Sequence, residues 1–335
     1  MKGCFVCQSG GRLPYVYRDG REEQIRRKLE MPEEIITEKN LDQYRGFLRE
    51  TEVIFCTWDM LSLTKEQIRE YFPKLKVVFY GAASVQYFGR PFLESGVTIV
   101  SCWKTMARPV AQFTLAAIVM ANKGALMTLR KYRSEGYGCN ELVHSVFPGT
   151  YGTKVGVLGA GAIGSLVVRG LKEMGVDVMV YDPFLSREKQ LALGVDRTYS
   201  LEEVFSQCQT ISNHLANNAR TAGMLNGELF SKMGDTAALI NTGRGAQVVE
   251  ADLIQALREK PLRSAILDVT YPEPVPQDSP LLSMENVFLF PHVAGYARQE
   301  VLMFPDFLLE QLEHYQRGEP LTEGIVTLEM LETMA

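Results

Sequence analysis

The rhythm of apolar and polar positions changes repeatedly along the chain, and each rhythm predicts an element. Short apolar runs at 4–7 (CFVC), 53–56, 76–80 and 97–100 read as buried strands, with helical period at 21–29 and 65–71 between them. That alternation predicts a small parallel α/β unit. Pro109 suits a first helical turn, and Val110, Phe113, Ala117 and Ala121 then recur on one face, so one long helix is expected from Pro109 to about Arg133. Residues 136–152 are glycine-rich and lack a period, which predicts an arm or loop. Further runs at 155–158, 178–181, 210–215, 237–241, 265–269 and 287–290 predict a doubly wound parallel sheet. A last helical run at 299–316 is expected to return to the first unit.

Composition narrows the function classes. The 335 residues, 46% hydrophobic and 22% charged, suffice for two domains with a core each. A net charge of −5 without any lysine and arginine block argues against nucleic acid or an acidic membrane as partner. The longest apolar run, 110–121, is too short for a bilayer and contains Gln112 and Thr114. The first residues lack the pattern of a signal peptide, and six scattered cysteines suit a reducing compartment, so the cytoplasm is expected. Cys4 and Cys7 have C-x-x-C spacing, but on a strand they point to opposite faces. With His144, His214, His292 and His314 far apart in sequence, no metal site is expected.

The most informative stretch is 154–182, KVGVLGAGAIGSLVVRGLKEMGVDVMVYD, which parses as strand, glycine turn, helix, strand. Gly159, Gly161 and Gly164 have the spacing G-x-G-x-x-G. The first permits a tight turn, the second close approach of a pyrophosphate, and the third close packing of helix on strand. Ala162 and Ile163 open the helix, whose free N–H groups and positive dipole end suit phosphate. Asp182, 18 residues after Gly164, stands where an acid accepts the ribose hydroxyls and repels a 2′-phosphate, and no basic residue follows before Arg187. The expected cofactor is therefore NAD rather than NADP.

Three charged or titratable residues follow predicted strands: Arg244 in NTGRG, Glu273 in DVTYPEP and His292 in PHVAGY. An arginine can clamp a carboxylate, a histidine can exchange a proton, and a carboxylate can orient that histidine. Together they suit hydride transfer at a 2-oxo or 2-hydroxy acid. Arg12 and Trp58, in loops after strands, are candidates for a substrate pocket.

With VGVLGAGAIG, NTGRG, LDVTYPEP and FPHVAG in this order, and the trio 29 and 19 residues apart, the chain resembles the D-isomer-specific 2-hydroxyacid dehydrogenases over nearly its whole length. The resemblance implies two Rossmann-like α/β domains, usually in a homodimer. A central NAD domain, 104–295, interrupts a smaller flavodoxin-like substrate domain built from 1–103 and 296–335. It further implies that Arg244 binds the substrate carboxylate, that His292 is the acid and base, and that Glu273 holds its imidazole. Asp268 is expected to meet the nicotinamide carboxamide, while His214, Leu215, Ala216, Thr242, Gly243 and Gly295 line the cofactor cleft. Ala82 and Ala83 match the turn whose N–H groups meet the substrate carboxylate. The chain departs from the family at Gly81–Gln86, which lacks an Asp-Asn pair, at Cys102 and Gln112, where Asn and Glu are common, and at 215–218, where a Leu-Pro stretch is usual. These departures bear on substrate identity more than on reaction type. An NAD(H)-sensing corepressor or scaffold on the same fold is the alternative, and it has no need of a proton donor.

Overall fold

A computed structural model describes residues 1–332. The chain forms two compact units, one from Met1–Met106 together with the segment from Tyr296 onward, the other from Ala107–Gly295.

In the first unit, β1 (Gly3–Phe5), β2 (Val53–Cys56), β3 (Val77–Tyr80) and β4 (Thr98–Ser101) lie side by side and parallel. On the far side of β1 the chain makes two isolated parallel bridges, Lys2 with Glu30 and Val6 with Ile36. The winding is thus flavodoxin-like, with its second strand reduced to its ends. Pro32, between those bridges, has no N–H to donate, so a continuous ladder is not available there. Every residue of β2 and β3 is buried, as a parallel sheet covered on both faces requires. Alternate positions feed two cores: Ile54, Cys56, Val78 and Tyr80 face one, and Val53, Phe55, Val77 and Phe79 the other. The helix Met303–Gln316 belongs to this unit and adds Phe304, Leu308 and Leu312 to the second core.

The second unit holds six parallel strands, β5 (Lys154–Leu158), β6 (Asp177–Tyr181), β7 (Thr210–Asn213), β8 (Ala238–Asn241), β9 (Ser264–Leu267) and β10 (Val287–Leu289). Their order is β10-β9-β8-β7-β5-β6, and a bridge from Val180 to Thr198 extends the sheet beyond β6. Winding therefore reverses between β5 and β7. Such a switch point opens a crevice at the carboxyl ends of the strands, where ligands bind. Apolar side chains again alternate: Val155, Val157, Ile240 and Ile266 serve one face, and Leu158, Ile211, Leu239 and Leu267 the other.

Two sequence expectations need correction. The long helix starts earlier than Pro109, at Trp103, and ends at Asn122, with Pro109 buried inside it. A second helix, Ala125–Glu135, follows at 55°. The break comes from Gly124, which is left-handed (φ 59°) and whose missing Cβ would lie 2.1 Å from the Phe147 ring. The 136–152 segment is not a plain loop, because it contains helical turns at Gly136–Cys139 and Leu142–Val146 and buries Cys139 and Phe147. The chain after Gly318 adds a strand, β11 (Ile325–Val326), antiparallel to β4, that no pattern announced. No single helix among the described residues is long and apolar enough to cross a membrane.

Candidate active site

The loops after β8, β9 and β10 meet at one end of the second unit. Asn241 ends β8 by accepting a hydrogen bond from Gly243 N–H at 3.1 Å through its own side-chain oxygen, an Asx turn that presents Arg244 next. The Arg244 guanidinium donates to Gly243 C=O at 2.9 Å. Burial pulls its pKa below the usual guanidinium value, and the charge of Glu273 opposes that pull. Gly245 packs where a Cβ would lie 2.0 Å from the Thr270 carbonyl carbon, so the loops after β8 and β9 touch.

Asp268, just beyond β9, is almost wholly buried. Its carboxylate accepts from Val293 N–H at 2.8 Å and Ala294 N–H at 2.9 Å, and its carbonyl accepts from His292 N–H at 3.0 Å. Those three bonds hold His292 in a left-handed conformation, φ 55°, which is strained for a residue with a Cβ. The imidazole is thereby aimed at the loop from β9, where Nδ1 meets Glu273 Oε1 at 2.6 Å. The His292 and Glu273 side chains are 38% and 42% exposed, so solvent screens the pair and its contribution to stability is small. Its consequence is orientation: Glu273 fixes the ring.

The glycine turn lies over the switch point. Gly159 is left-handed (φ 84°), and a Cβ there would meet His214 C=O at 2.7 Å. At Gly164 a Cβ would lie 1.9 Å from Gly159 C=O, whereas at Gly161 it would meet nothing within 4 Å. The helix Ala162–Glu173 starts at Gly161 without a side-chain cap, so its first N–H groups lack such a partner. Asp182, just after β6, accepts from Ala160 N–H at 2.8 Å and Phe184 N–H at 2.9 Å, and each of its oxygens retains a lone pair. These residues fit a dinucleotide: an uncapped helix end, open space at the middle glycine and an acid at the second strand. Ile163 and Ala162 form the first turn of that helix.

The other cofactor candidates follow the neighbouring strands: 214–216 after β7, Thr242 and Gly243 after β8, Asp268 after β9 and Gly295 after β10. His214 Nε2 pairs with Ser212 Oγ at 2.9 Å, while its Nδ1 is buried and has no partner among the described residues. Desolvation lowers its pKa to about 3, so the ring is neutral. Leu215 is buried, and Ala216 C=O accepts from Thr221 Oγ at 2.6 Å. Thr242 is buried against Thr114, Oγ to Oγ 3.1 Å, and Gly295 is buried at the end of the His292 loop. Asp268 is committed to the backbone of 293–294, an anchoring duty that sequence reading did not foresee.

In the first unit, Ala82 and Ala83 follow β3, and Ser101 Oγ donates to both of their carbonyls, at 3.0 and 2.6 Å. Trp58 follows β2 and packs against Tyr296 and Phe304, with ring centroids 5.0 and 6.2 Å away. Arg12 is exposed at the head of the short helix Leu13–Val16. Sequence reading missed Asp59, left-handed at φ 79°, whose carboxylate accepts from both Ser9 N–H (2.8 Å) and Ser9 Oγ (2.5 Å) and so joins the loops after β1 and β2. It also missed Asn213 and Gln247, which are buried together in the second unit although 34 residues apart. A polar Asn213 at the end of a predicted strand was the one signal available.

Residues 115–294 match the family model of the D-isomer specific 2-hydroxyacid dehydrogenase, NAD binding domain. A glyoxylate reductase from Korarchaeum cryptofilum is 29% identical over 256 residues, 76% of each chain. A D-3-phosphoglycerate dehydrogenase from Methanocaldococcus jannaschii is 28% identical over 76% of this chain, which spans only 48% of that longer relative. The apo structure of D-mandelate dehydrogenase from Rhodotorula graminis superposes with a TM-score of 0.78, covering 96% of each chain at 22% identity, a likeness of fold.

Proposed function

Because the chain belongs to the D-isomer-specific 2-hydroxyacid dehydrogenase family, whose NAD-binding domain it carries, we propose that it interconverts a 2-oxo acid and a D-2-hydroxy acid through Arg244, Glu273 and His292. The observation that carries the proposal is the 2.6 Å contact between His292 Nδ1 and Glu273 Oε1, with Arg244 on the adjoining loop. Bound NADH supplies the hydride, delivered to C2 of the 2-oxo acid. Arg244 binds the substrate carboxylate and polarises the neighbouring carbonyl, opposing the negative charge that grows on its oxygen. His292, cationic and held at Nδ1 by Glu273, gives the Nε2 proton to that oxygen; in the oxidative direction the neutral ring takes it back. Ala82, Ala83, Arg12 and Trp58 are assigned to the substrate side.

The glycine turn, Asp182 and the 214–216 and 242–243 loops hold the dinucleotide in this reading, with Gly295 at the cleft's edge. Asp182 selects NAD by repelling a 2′-phosphate. Six free thiols suit the cytoplasm as its setting. The exposed Leu129, Tyr132, Tyr137 and Tyr151 favour a homodimer, for which sedimentation should give twice the chain mass; a monomer at micromolar concentration refutes it.

The experiment mixes the protein with NADH and glyoxylate, hydroxypyruvate, phenylpyruvate or 2-oxoisocaproate, and follows absorbance of the reduced nicotinamide. Turnover of at least one 2-oxo acid is expected, with NADPH much poorer. No turnover with any of them contradicts the proposal.

A further inference from the structure

The carboxyl ends of β7 and β8 carry a buried amide cluster to which hydride transfer assigns no task. Asn213 and Asn241 are register partners on the two strands, and with Gln247 they are 0%, 1% and 0% exposed. Asn213 Nδ2 donates to Asn241 Oδ1 at 3.0 Å and to Gln247 Oε1 at 2.5 Å. Gln247 Nε2 donates in turn to the carbonyls of Leu215 and Ala216, both at 2.8 Å. Asn213 Oδ1 accepts from Leu215 N–H at 3.2 Å, and Asn241 Nδ2 donates to Arg244 C=O at 3.0 Å. The three side chains thus connect the 214–216 loop to the Arg244 loop through buried hydrogen bonds.

An apolar core could fill this space without desolvating any amide. What amides add is direction, since each fixes a backbone group at hydrogen-bond distance. Ala216 makes such fixing useful. The resembling family usually has a stiff Leu-Pro stretch here, and this chain has Leu215-Ala216-Asn217-Asn218. Gln247 Nε2 and Thr221 Oγ both grip Ala216 C=O, restraining from outside a backbone that has no proline to restrain it from within.

We propose that Gln247, seated by Asn213, is a positioning residue for the cofactor: it holds the 214–216 backbone in the shape that receives NAD. This rests on the reading above that the loop lines the dinucleotide cleft. Asn241 keeps its bonds to Gly243 N–H and Arg244 C=O without either partner, so the substrate-binding arginine is held separately.

The test compares wild type, Gln247→Met and the double variant Asn213→Leu/Gln247→Met as full-length proteins. NADH affinity is read by fluorescence titration, stability by melting temperature, and the KM for a turned-over 2-oxo acid at saturating NADH. Gln247→Met strands the Asn213 amide, so it loses both stability and affinity; the double variant removes both amides and regains stability over the single one. In the double variant the NADH Kd stays raised about tenfold, the equivalent of one lost hydrogen bond, while the 2-oxo acid KM changes less than about twofold. NADH affinity that returns in step with melting temperature overturns the proposal. Should the double variant not fold, Gln247→Met alone decides: it has no donor for the Leu215 and Ala216 carbonyls, and wild-type NADH affinity in it is equally fatal. A wild-type protein that binds no NADH refutes the cofactor reading itself, a result distinct from equal binding by wild type and variant.

Discussion

His214 illustrates how a residue's surroundings reach a measurable property. Its ring is buried with Nδ1 unpartnered, which lowers its pKa from 6.5 to about 3. In the unfolded chain the same ring takes up a proton near pH 6.5. Below that pH the unfolded state binds more protons, so this contribution to stability is complete above about 6.5 and declines as pH falls toward about 3. Between pH 7.5 and pH 5 the wild type should lose about 1–2 kcal/mol more than His214→Gln in urea unfolding. Equal losses refute the buried neutral ring. At this scale the sequence disclosed chemistry but not attachment. Arg244, Glu273 and His292 stood out because each follows a strand in a recognisable motif. The anchoring of the His292 loop by Asp268 and the pairing of Asn213 with Gln247 depend on side chains meeting across strands, which local spacing does not encode.

Among elements, the strand–turn–helix at 154–173 makes the sharpest distinction between packing and binding. Gly164 and Gly161 are both required by the motif, yet for different reasons. A methyl group at Gly164 would press 1.9 Å from Gly159 C=O, while one at Gly161 would enter open space. Gly164→Ala should therefore lower the melting temperature by several degrees and weaken NADH binding together. Gly161→Ala should leave the melting temperature within about a degree and weaken NADH at least tenfold, since only the ligand needs that space. Calorimetry and fluorescence titration check both, and unchanged NADH affinity in Gly161→Ala contradicts the assigned role. Strand positions were legible because buried parallel strands are continuous apolar runs. Their ends were less so: β7 stops at Asn213 because the Asx turn to Leu215 N–H bends the chain there. Pro109 misled for a similar reason, since a proline tolerated within a helix looks like one that begins it.

At the scale of the whole chain, alternating strands and helices disclosed the α/β class, and the glycine turn identified which sheet handles the dinucleotide. Pairing between distant stretches was harder to read. The bridges of Glu30 and Ile36 to the first strand, and the pairing of Ile325 and Val326 with β4, involve too few residues to form a pattern. The central claim is that His292 supplies the proton while other residues hold the dinucleotide, and one paired measurement on His292→Ala tests it most directly. Turnover of the best 2-oxo acid with NADH and the NADH Kd are measured on the same preparation. The account predicts a fall in kcat of about 10²–10⁴-fold with the Kd within about twofold of wild type. Retained turnover, or turnover and NADH binding lost together, contradicts it.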